Sequence, residues 1–336
     1  MRVAIVTYTG DGVDDRAVTA GFQPEVAIVQ RGAATENITC KTSAMTGNNS
    51  HQYLTGIVTT GIKTLTSTGV TLGTGTAVNG NTVAYRLICF GAGTNLGVGT
   101  YTGNGVDDRA IAHNATAGNA VALTLIMRDQ AGSSDWMLRY GFLGDNARSM
   151  WGTGLIAANR IQAATVGGTF TVGTDASTNA VAGDTYYWVH LNTVVGNVFS
   201  SSYTGDAADD RNIAAADAFT PLWAQVTAMG SVGLRGCHNT GGTDASYTPQ
   251  FANNTADLIQ AFNSNGFQVG TSLQVNGAGA ADNTYGYLMV KDEAAAGATP
   301  PLGDTGFGGY ALPFSLYTLL KTMLDTEKRY KNVLIQ

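Results

Sequence analysis

The sequence contains one long motif three times, and this repetition constrains the fold more than any other feature. The copies run from Tyr8 to Val18, from Tyr101 to Ile111 and from Tyr203 to Ile213, with the pattern Tyr-Thr-Gly-(Asp/Asn)-(Gly/Ala)-x-Asp-Asp-Arg. An interval of about 100 residues is too long for a solenoid unit and fits a small all-β domain. The sequence therefore predicts three domains of one type in tandem.

A second marker, late in each unit, supports the same division. It is Gly73-Thr74, Gly173-Thr174 and Gly270-Thr271, and each copy precedes an apolar run that contains a tyrosine. Runs of this kind are typical of buried strands. The predicted fold is all-β: three jelly-roll or lectin-like β-sandwiches at residues 1–92, 93–193 and 194–293.

The composition agrees with many short strands joined by tight turns. Glycine is abundant at 44 residues, and only 12% of the residues are charged. Glycine supplies the positive φ angles that tight turns require. The net charge of -6 gives no basic surface for nucleic acid, and no apolar run is long enough to span a membrane. The first residues lead directly into the repeat, so we expect no signal peptide.

The end of the chain has a different pattern. A linker is predicted at residues 294–312, where Pro300 and Pro301 block regular structure. A helix is predicted at residues 313–336, with an apolar stripe of Leu316, Leu319, Leu320, Met323 and Leu324. This helix attaches the protein to a partner or to further copies of itself, or else it folds back onto the third sandwich.

The repeated motif has three competing interpretations. In the first, it is a structural turn in which aspartates bind backbone N–H groups and the arginine pins the next strand. In the second, the clustered oxygens bind calcium, although the spacing does not match the helix-flanked calcium loop. In the third, the motif binds some other ligand. The residues concerned are Asp11, Asp14, Asp15, Arg16, Asn104, Asp107, Asp108, Arg109, Asp206, Asp209, Asp210 and Arg211.

Other candidate sites are few. The four histidines occupy no shared position in the repeat, and none has a Ser or Cys partner signature, so we predict neither an enzyme nor a cofactor. The three cysteines are predicted to be buried free thiols. Trp136, Tyr140 and Trp151 crowd a divergent loop of the second unit, near Phe142. These rings would stack on a glycan if exposed, or would otherwise pack over the end of the sandwich.

The repeat resembles one found in structural proteins of tailed bacteriophages. The resemblance rests on the motif itself, on Gly21-Phe22-Gln23-Pro24-Glu25 in the first unit, and on Asn265-Gly266-Phe267-Gln268-Val269-Gly270-Thr271 in the third. It covers residues 1 to about 293, and it is weakest in the second unit, where Thr116 to Asn119 replace Gly-Phe-Gln-Pro.

The resemblance implies a virion protein of the head, neck or tail, made in the host cytoplasm. We therefore expect a non-enzymatic capsid decoration or an accessory fibre component, which contacts other virion proteins and forms a homo-oligomer. The alternative is an adhesin that binds a host-surface glycan. A polysaccharide depolymerase ranks third, because glutamate is scarce and no β-helix repeat is present.

Overall fold

The structure is a computed structural model. It describes residues 1–32, 37–130, 136–150, 156–230, 237–240, 244, 246–247, 256–278 and 283–293. The predicted linker and C-terminal helix lie outside these residues, as does Trp151. Within them, no helix is long and apolar enough to cross a membrane.

The first unit consists of two antiparallel sheets. Its elements are β1 (Val3–Thr9), β2 (Arg16–Thr19), β3 (Pro24–Arg31), β4 (Thr39–Thr42), β5 (Ser50–Gln52), β6 (Gly56–Val58), β7 (Ile62–Thr66), β8 (Gly69–Leu72), the one-turn helix α1 (Thr76–Asn79) and β9 (Ala84–Gly91). The large sheet has the order β1-β9-β3-β4-β5-β6, and the small sheet has the order β2-β8-β7.

The second unit repeats this plan. Its elements are β10 (Leu96–Thr102), β11 (Arg109–Ala112), β12 (Val121–Arg128), β13 (Met137–Tyr140), a 3₁₀ turn (Gly141–Leu143), β14 (Arg148–Ser149), β15 (Ile161–Ala164), β16 (Thr169–Val172) and β17 (Thr185–Asn192). The sheet orders are β10-β17-β12-β13-β14 and β11-β16-β15. The last strand again lies between the first and third strands of the large sheet.

The third unit has the same arrangement. Its strands are β18 (Val198–Thr204), β19 (Arg211–Ala214), β20 (Trp223–Ala228), β21 (Cys237–Asn239), β22 (Ile259–Asn263), β23 (Gly266–Val269) and β24 (Thr284–Val290). The sheet orders are β18-β24-β20-β21 and β19-β23-β22. The predicted all-β fold is therefore confirmed, and Met1–Ala294 forms one compact body.

The central strand of each large sheet is buried on both faces. In β9, Leu87 and Cys89 pack in the core of the first unit, whereas Ile88 and Phe90 pack in a core that all three units share. The same alternation holds in β17 and β24. Double burial explains why these strands are continuous apolar runs instead of alternating sequences. The three cysteines are free and buried, as predicted.

The three large sheets contact one another head to tail. The β4–β5 region of the first unit reaches the second, where Nε2 of His51 lies 2.7 Å from the carbonyl oxygen of Arg128. The second unit reaches the third from β13, through Tyr140 and Thr227. The third reaches the first from β21, through His238 and Gln30. A heterologous contact that returns to its starting unit closes a ring.

The two ends of this ring differ. In each unit the first and last strands are antiparallel neighbours, so the chain enters and leaves at one end. The backbone N–H of Val3 donates to Asp292 at 2.7 Å, which brings both ends of Met1–Glu293 to this linker end. The three repeated motifs lie at the opposite end of their units.

Candidate functional site

Each repeated motif forms the turn between the first two strands of its unit, β1–β2, β10–β11 and β18–β19. Two residues of each turn have left-handed backbone conformation. At the first position Gly12, Gly105 and Ala207 have φ angles of 70°, 69° and 60°. At the second position Asp15, Asp108 and Asp210 have φ angles of 59°, 54° and 54°. The motif therefore carries glycine where the backbone requires it, except at Ala207.

A buried asparagine holds each turn in place. In the first unit, Oδ1 of Asn79 accepts hydrogen bonds from the backbone N–H of Asp11 at 3.1 Å and from Arg16 Nη1 at 3.2 Å. Its Nδ2 donates to the carbonyl oxygen of Val13 at 2.8 Å. Asn179 and Asn276 make the equivalent bonds in the other units. All three side chains are 0% exposed, so these bonds replace solvent completely.

Two tyrosines and the motif arginine stack behind each turn. The guanidinium carbons of Arg16, Arg109 and Arg211 lie 5.1, 5.3 and 5.4 Å from the ring centres of Tyr8, Tyr101 and Tyr203. The latter rings stack on Tyr85, Tyr186 and Tyr285 at 5.2, 5.2 and 5.4 Å. Burial raises the pKa of Tyr8, Tyr101 and Tyr203. These phenols therefore stay protonated and act as hydrogen-bond donors to backbone carbonyls.

The glycine that begins each turn is fixed by a close backbone approach. A Cβ on Gly10 would lie 2.0 Å from the carbonyl oxygen of Gly80. At Gly103 and Gly205 the corresponding distance to a carbonyl oxygen is 2.3 Å. No side chain fits at such distances, so the glycine of Tyr-Thr-Gly in all three copies follows from backbone packing.

The carboxylates of the turns bind their own backbone and neighbouring strands. Asp11 and Asp206 each accept a bond from the N–H two residues later, at 2.9 Å, and this bond is the main cause that lowers the pKa of both carboxyls. In the second unit, Oδ1 of Asn104 accepts the equivalent hydrogen bond from the N–H of Val106, at 3.0 Å. Such bonds define an Asx turn.

The first residue of the Asp-Asp pair in each motif accepts a hydrogen bond from a residue on the small sheet. Lys63 lies 3.0 Å from Asp14 and 2.6 Å from Asp15, and its hydrogen bond lowers the pKa of Asp14. At the equivalent places, Gln162 donates to Asp107 at 3.0 Å and Gln260 to Asp209 at 2.9 Å. In the described part of the chain, no three Asp, Glu, His or Cys side chains converge as a metal site would require. The geometry is that of a structural turn.

The predicted aromatic site is placed differently. Trp136 and Tyr140 are 0% exposed and belong to the core that the units share. Trp136 Nε1 donates to Nδ1 of His51 at 2.9 Å, and the Tyr140 hydroxyl lies 3.2 Å from Oγ1 of Thr227. Neither ring has a face that a sugar could reach. For both rings the structure shows the alternative interpretation, in which they pack in the core. Trp151 and the predicted attachment residues lie outside the described residues.

Sequence reasoning missed the three asparagines, although a signal for them exists. Asn79, Asn179 and Asn276 stand at one constant distance after the Gly-Thr marker of each unit. The Gly-Thr marker therefore positions the amide side chain of the asparagine against a turn that lies far from it in sequence.

Comparison with known proteins adds no assignment to this geometry: no protein-family model matches the chain, and no curated protein matches it. The site itself contains hydrogen-bond networks that fix turns. Its charged side chains bind backbone groups and amides and, in the first and third units, each other.

Proposed function

We propose that this chain is a non-enzymatic structural protein of a tailed-bacteriophage virion, either a surface-displayed capsid decoration or an accessory fibre or neck component. The observation that carries the proposal is the triplicate turn: one set of buried contacts is built three times within a closed ring that shares a core. The residues that are retained in all three copies hold each turn in a fixed conformation. The resemblance of the repeat to phage structural proteins supports the virion as the location.

The histidines support a structural role as well. His51 and His238 bridge units, His190 bonds Thr124 and Asn192, and His113 lies 2.7 Å from the carbonyl oxygen of Thr165. Burial lowers the pKa of His51 to about 4 and those of His190 and His238 to about 3. These three neutral imidazoles serve as hydrogen-bond partners within the core.

We propose an orientation on the particle that has the linker end facing the particle. Lys291 and Asp292 lie at the linker end, next to Asn197 and Val3. We propose that the segment at residues 313–336 binds a virion partner or further copies of itself through its apolar stripe. The three motif turns would then face away from the particle.

Particles purified by density gradient from a lysate of the phage that encodes this sequence test the proposal. We expect the protein in the particle band at a constant ratio to the major capsid protein, with antibody label on the particle surface in electron microscopy. Recovery only in the soluble fraction would overturn the proposal. A chain truncated after residue 293, supplied in trans, is the control and should remain soluble without binding the particles.

A further inference from the structure

A cleft of about 710 Å³ opens between the second and third units at the linker end. Its volume falls within the range of about 300–1,000 Å³ that is usual for small-molecule sites. The rings of Phe142 and Phe199 and the side chain of Val195 supply apolar surface, and Thr193, Ser201 and Asp217 supply polar groups. A mostly apolar wall with a few fixed polar groups is typical of a binding site.

Phe142 is held rigidly although its side chain is 41% exposed. It lies on the 3₁₀ turn after β13, and its ring stacks on buried Tyr140 with ring centres 5.3 Å apart and planes 10° apart. Arg139 Nε binds the carbonyl oxygen of Gly144 at 2.7 Å and so closes the turn. A Cβ on Gly141 would lie 2.0 Å from the carbonyl oxygen of Val121, which keeps the turn against β12. The exposed ring is thus preorganised.

The polar groups of the cleft are also fixed. Oδ2 of Asp217 accepts the N–H of Gly196 at 2.7 Å, which positions the carboxylate at the cleft wall. The hydroxyl of Thr193 is held between the backbone N–H and carbonyl oxygen of Ala120, at 3.0 and 3.3 Å. Among the described residues, those that line the cleft include no lysine, arginine or histidine that would neutralise an anion.

The equivalent cleft between the first and second units provides an internal comparison. It is smaller, about 490 Å³, and the described residues that line it include no aromatic side chain. Val98 lies there at the position that Ser200 has on β18. The described residues that follow β4, the equivalent strand of the first unit, form no 3₁₀ turn, so the turn that carries Phe142 distinguishes the second unit from the first. Features that vary between copies of one scaffold are where specific binding is found.

We infer that the cleft between the second and third units binds a neutral saccharide, with the ring of Phe142 stacked on the apolar face of a sugar and Asp217 accepting hydrogen bonds from its hydroxyls. Aromatic stacking combined with hydroxyl-to-carboxylate bonding suits an uncharged sugar, and the carboxylate of Asp217 on a described wall without a cation disfavours uronic and sialic acids. This site is separate from the structural role proposed above and does not depend on it.

The test uses the full-length chain on an array of bacterial surface polysaccharides, followed by calorimetric titration with cellobiose, maltose, lactose and di-N-acetylchitobiose. We expect binding to at least one neutral glycan. Phe142→Ala should weaken it about tenfold or more, as truncation of a central aromatic contact does. Asp217→Asn should also weaken binding, and Phe142→Tyr should retain it.

Val106→Ala is the matched control, because Val106 is an exposed apolar residue, 56% exposed, at the far end of the second unit. It should leave binding unchanged, and circular dichroism should show all variants folded. No binding to any neutral glycan, or equal binding by Phe142→Ala, would overturn the inference. Light scattering that shows self-association lost on Phe142→Ala, without glycan binding, would assign the cleft to a second copy instead.

Discussion

At the scale of single residues, the three buried asparagines hold the turns of the repeat in place. Each connects the motif arginine, the start of the turn and its tip, three groups that are far from it in sequence. Because the side chain is inaccessible to water, losing it leaves several buried polar groups without partners. The penalty for such a group is about 1–3 kcal/mol.

Asn179→Ala should therefore lower the free energy of unfolding by about 1–3 kcal/mol or more. Arg109→Ala should lower the free energy of unfolding by about 1–3 kcal/mol, because the amide of Asn179 keeps its two bonds to the backbone of the turn. Urea denaturation monitored by tryptophan fluorescence measures both. Losses below about 0.5 kcal/mol, the usual range for surface changes, would contradict the role assigned to the asparagine.

Ala207 offers a test with the opposite sign. Its φ of 60° is left-handed, whereas Gly12 and Gly105 occupy the equivalent positions. We expect Ala207→Gly to stabilise the protein by about 0.5–1 kcal/mol, since a Cβ costs about 1–2 kcal/mol there and glycine loses more chain entropy. Gly12→Ala should destabilise by a similar amount. The same denaturation series applies, and a loss of stability in Ala207→Gly would refute the argument.

Calcium binding by the turns can be tested by metal removal. The carboxylates of Asp11, Asp14 and Asp206 already bind N–H groups or Lys63. EDTA should consequently leave the melting temperature unchanged in differential scanning calorimetry. A decrease of several degrees that added calcium reverses would restore the calcium interpretation.

At the scale of secondary-structure elements, the strands of the large sheets serve two cores at once. Their alternate side chains pack in the core of their own unit and in the shared core. Several polar side chains at this boundary bond across units, as Trp136 does with His51 and Tyr140 with Thr227. Buried polar groups require such partners.

Trp136→Phe removes the donor while keeping an aromatic ring in the core. Nδ1 of His51 then loses its hydrogen bond, and we expect destabilisation by about 1–3 kcal/mol, detected by thermal unfolding. Tyr140→Phe is the parallel change at the contact between the second and third units. An unchanged melting temperature in both variants would show that these bonds do not stabilise the ring.

At the scale of the whole molecule, the ring of three units is a single compact body that buries three histidines, and burial keeps them neutral. Arg86 further lowers the pKa of His238, and His113 and Arg139 that of His190. The unfolded chain has ordinary histidines with a pKa of about 6.5. Below that pH, the folded state therefore binds fewer protons than the unfolded state.

The contribution of these histidines to the free energy of unfolding should accordingly be fully present above pH 6.5 and should fall as the pH decreases toward 4. Each of the three histidines contributes up to about 1.4 kcal/mol per pH unit in this window. Urea denaturation at pH 7, 6 and 5 measures the change of the free energy of unfolding with pH. His51→Gln should reduce this change by the contribution of one histidine. A flat profile between pH 7 and 5 would contradict neutral burial of these imidazoles.

The described residues form four buried clusters. If residues 313–336 attach the protein to its partner, as proposed, a chain ending at residue 293 should unfold at the same temperature as the full chain while losing attachment to particles. Calorimetry and a particle co-sedimentation assay measure the two effects. A lower melting temperature would mean that the C-terminal segment stabilises the sandwiches.

The sequence alone determined the all-β class, the threefold repetition and the positions of the turns, because glycine, aspartate and the strand patterns act locally. It did not determine the closed ring, the buried state of Trp136 and Tyr140, or the pairing of Asn179 with Arg109. Those features depend on which faces meet after the chain has returned on itself. An apolar strand has the same letters whether one face is buried or both, so only the tertiary structure decides which aromatic rings remain exposed.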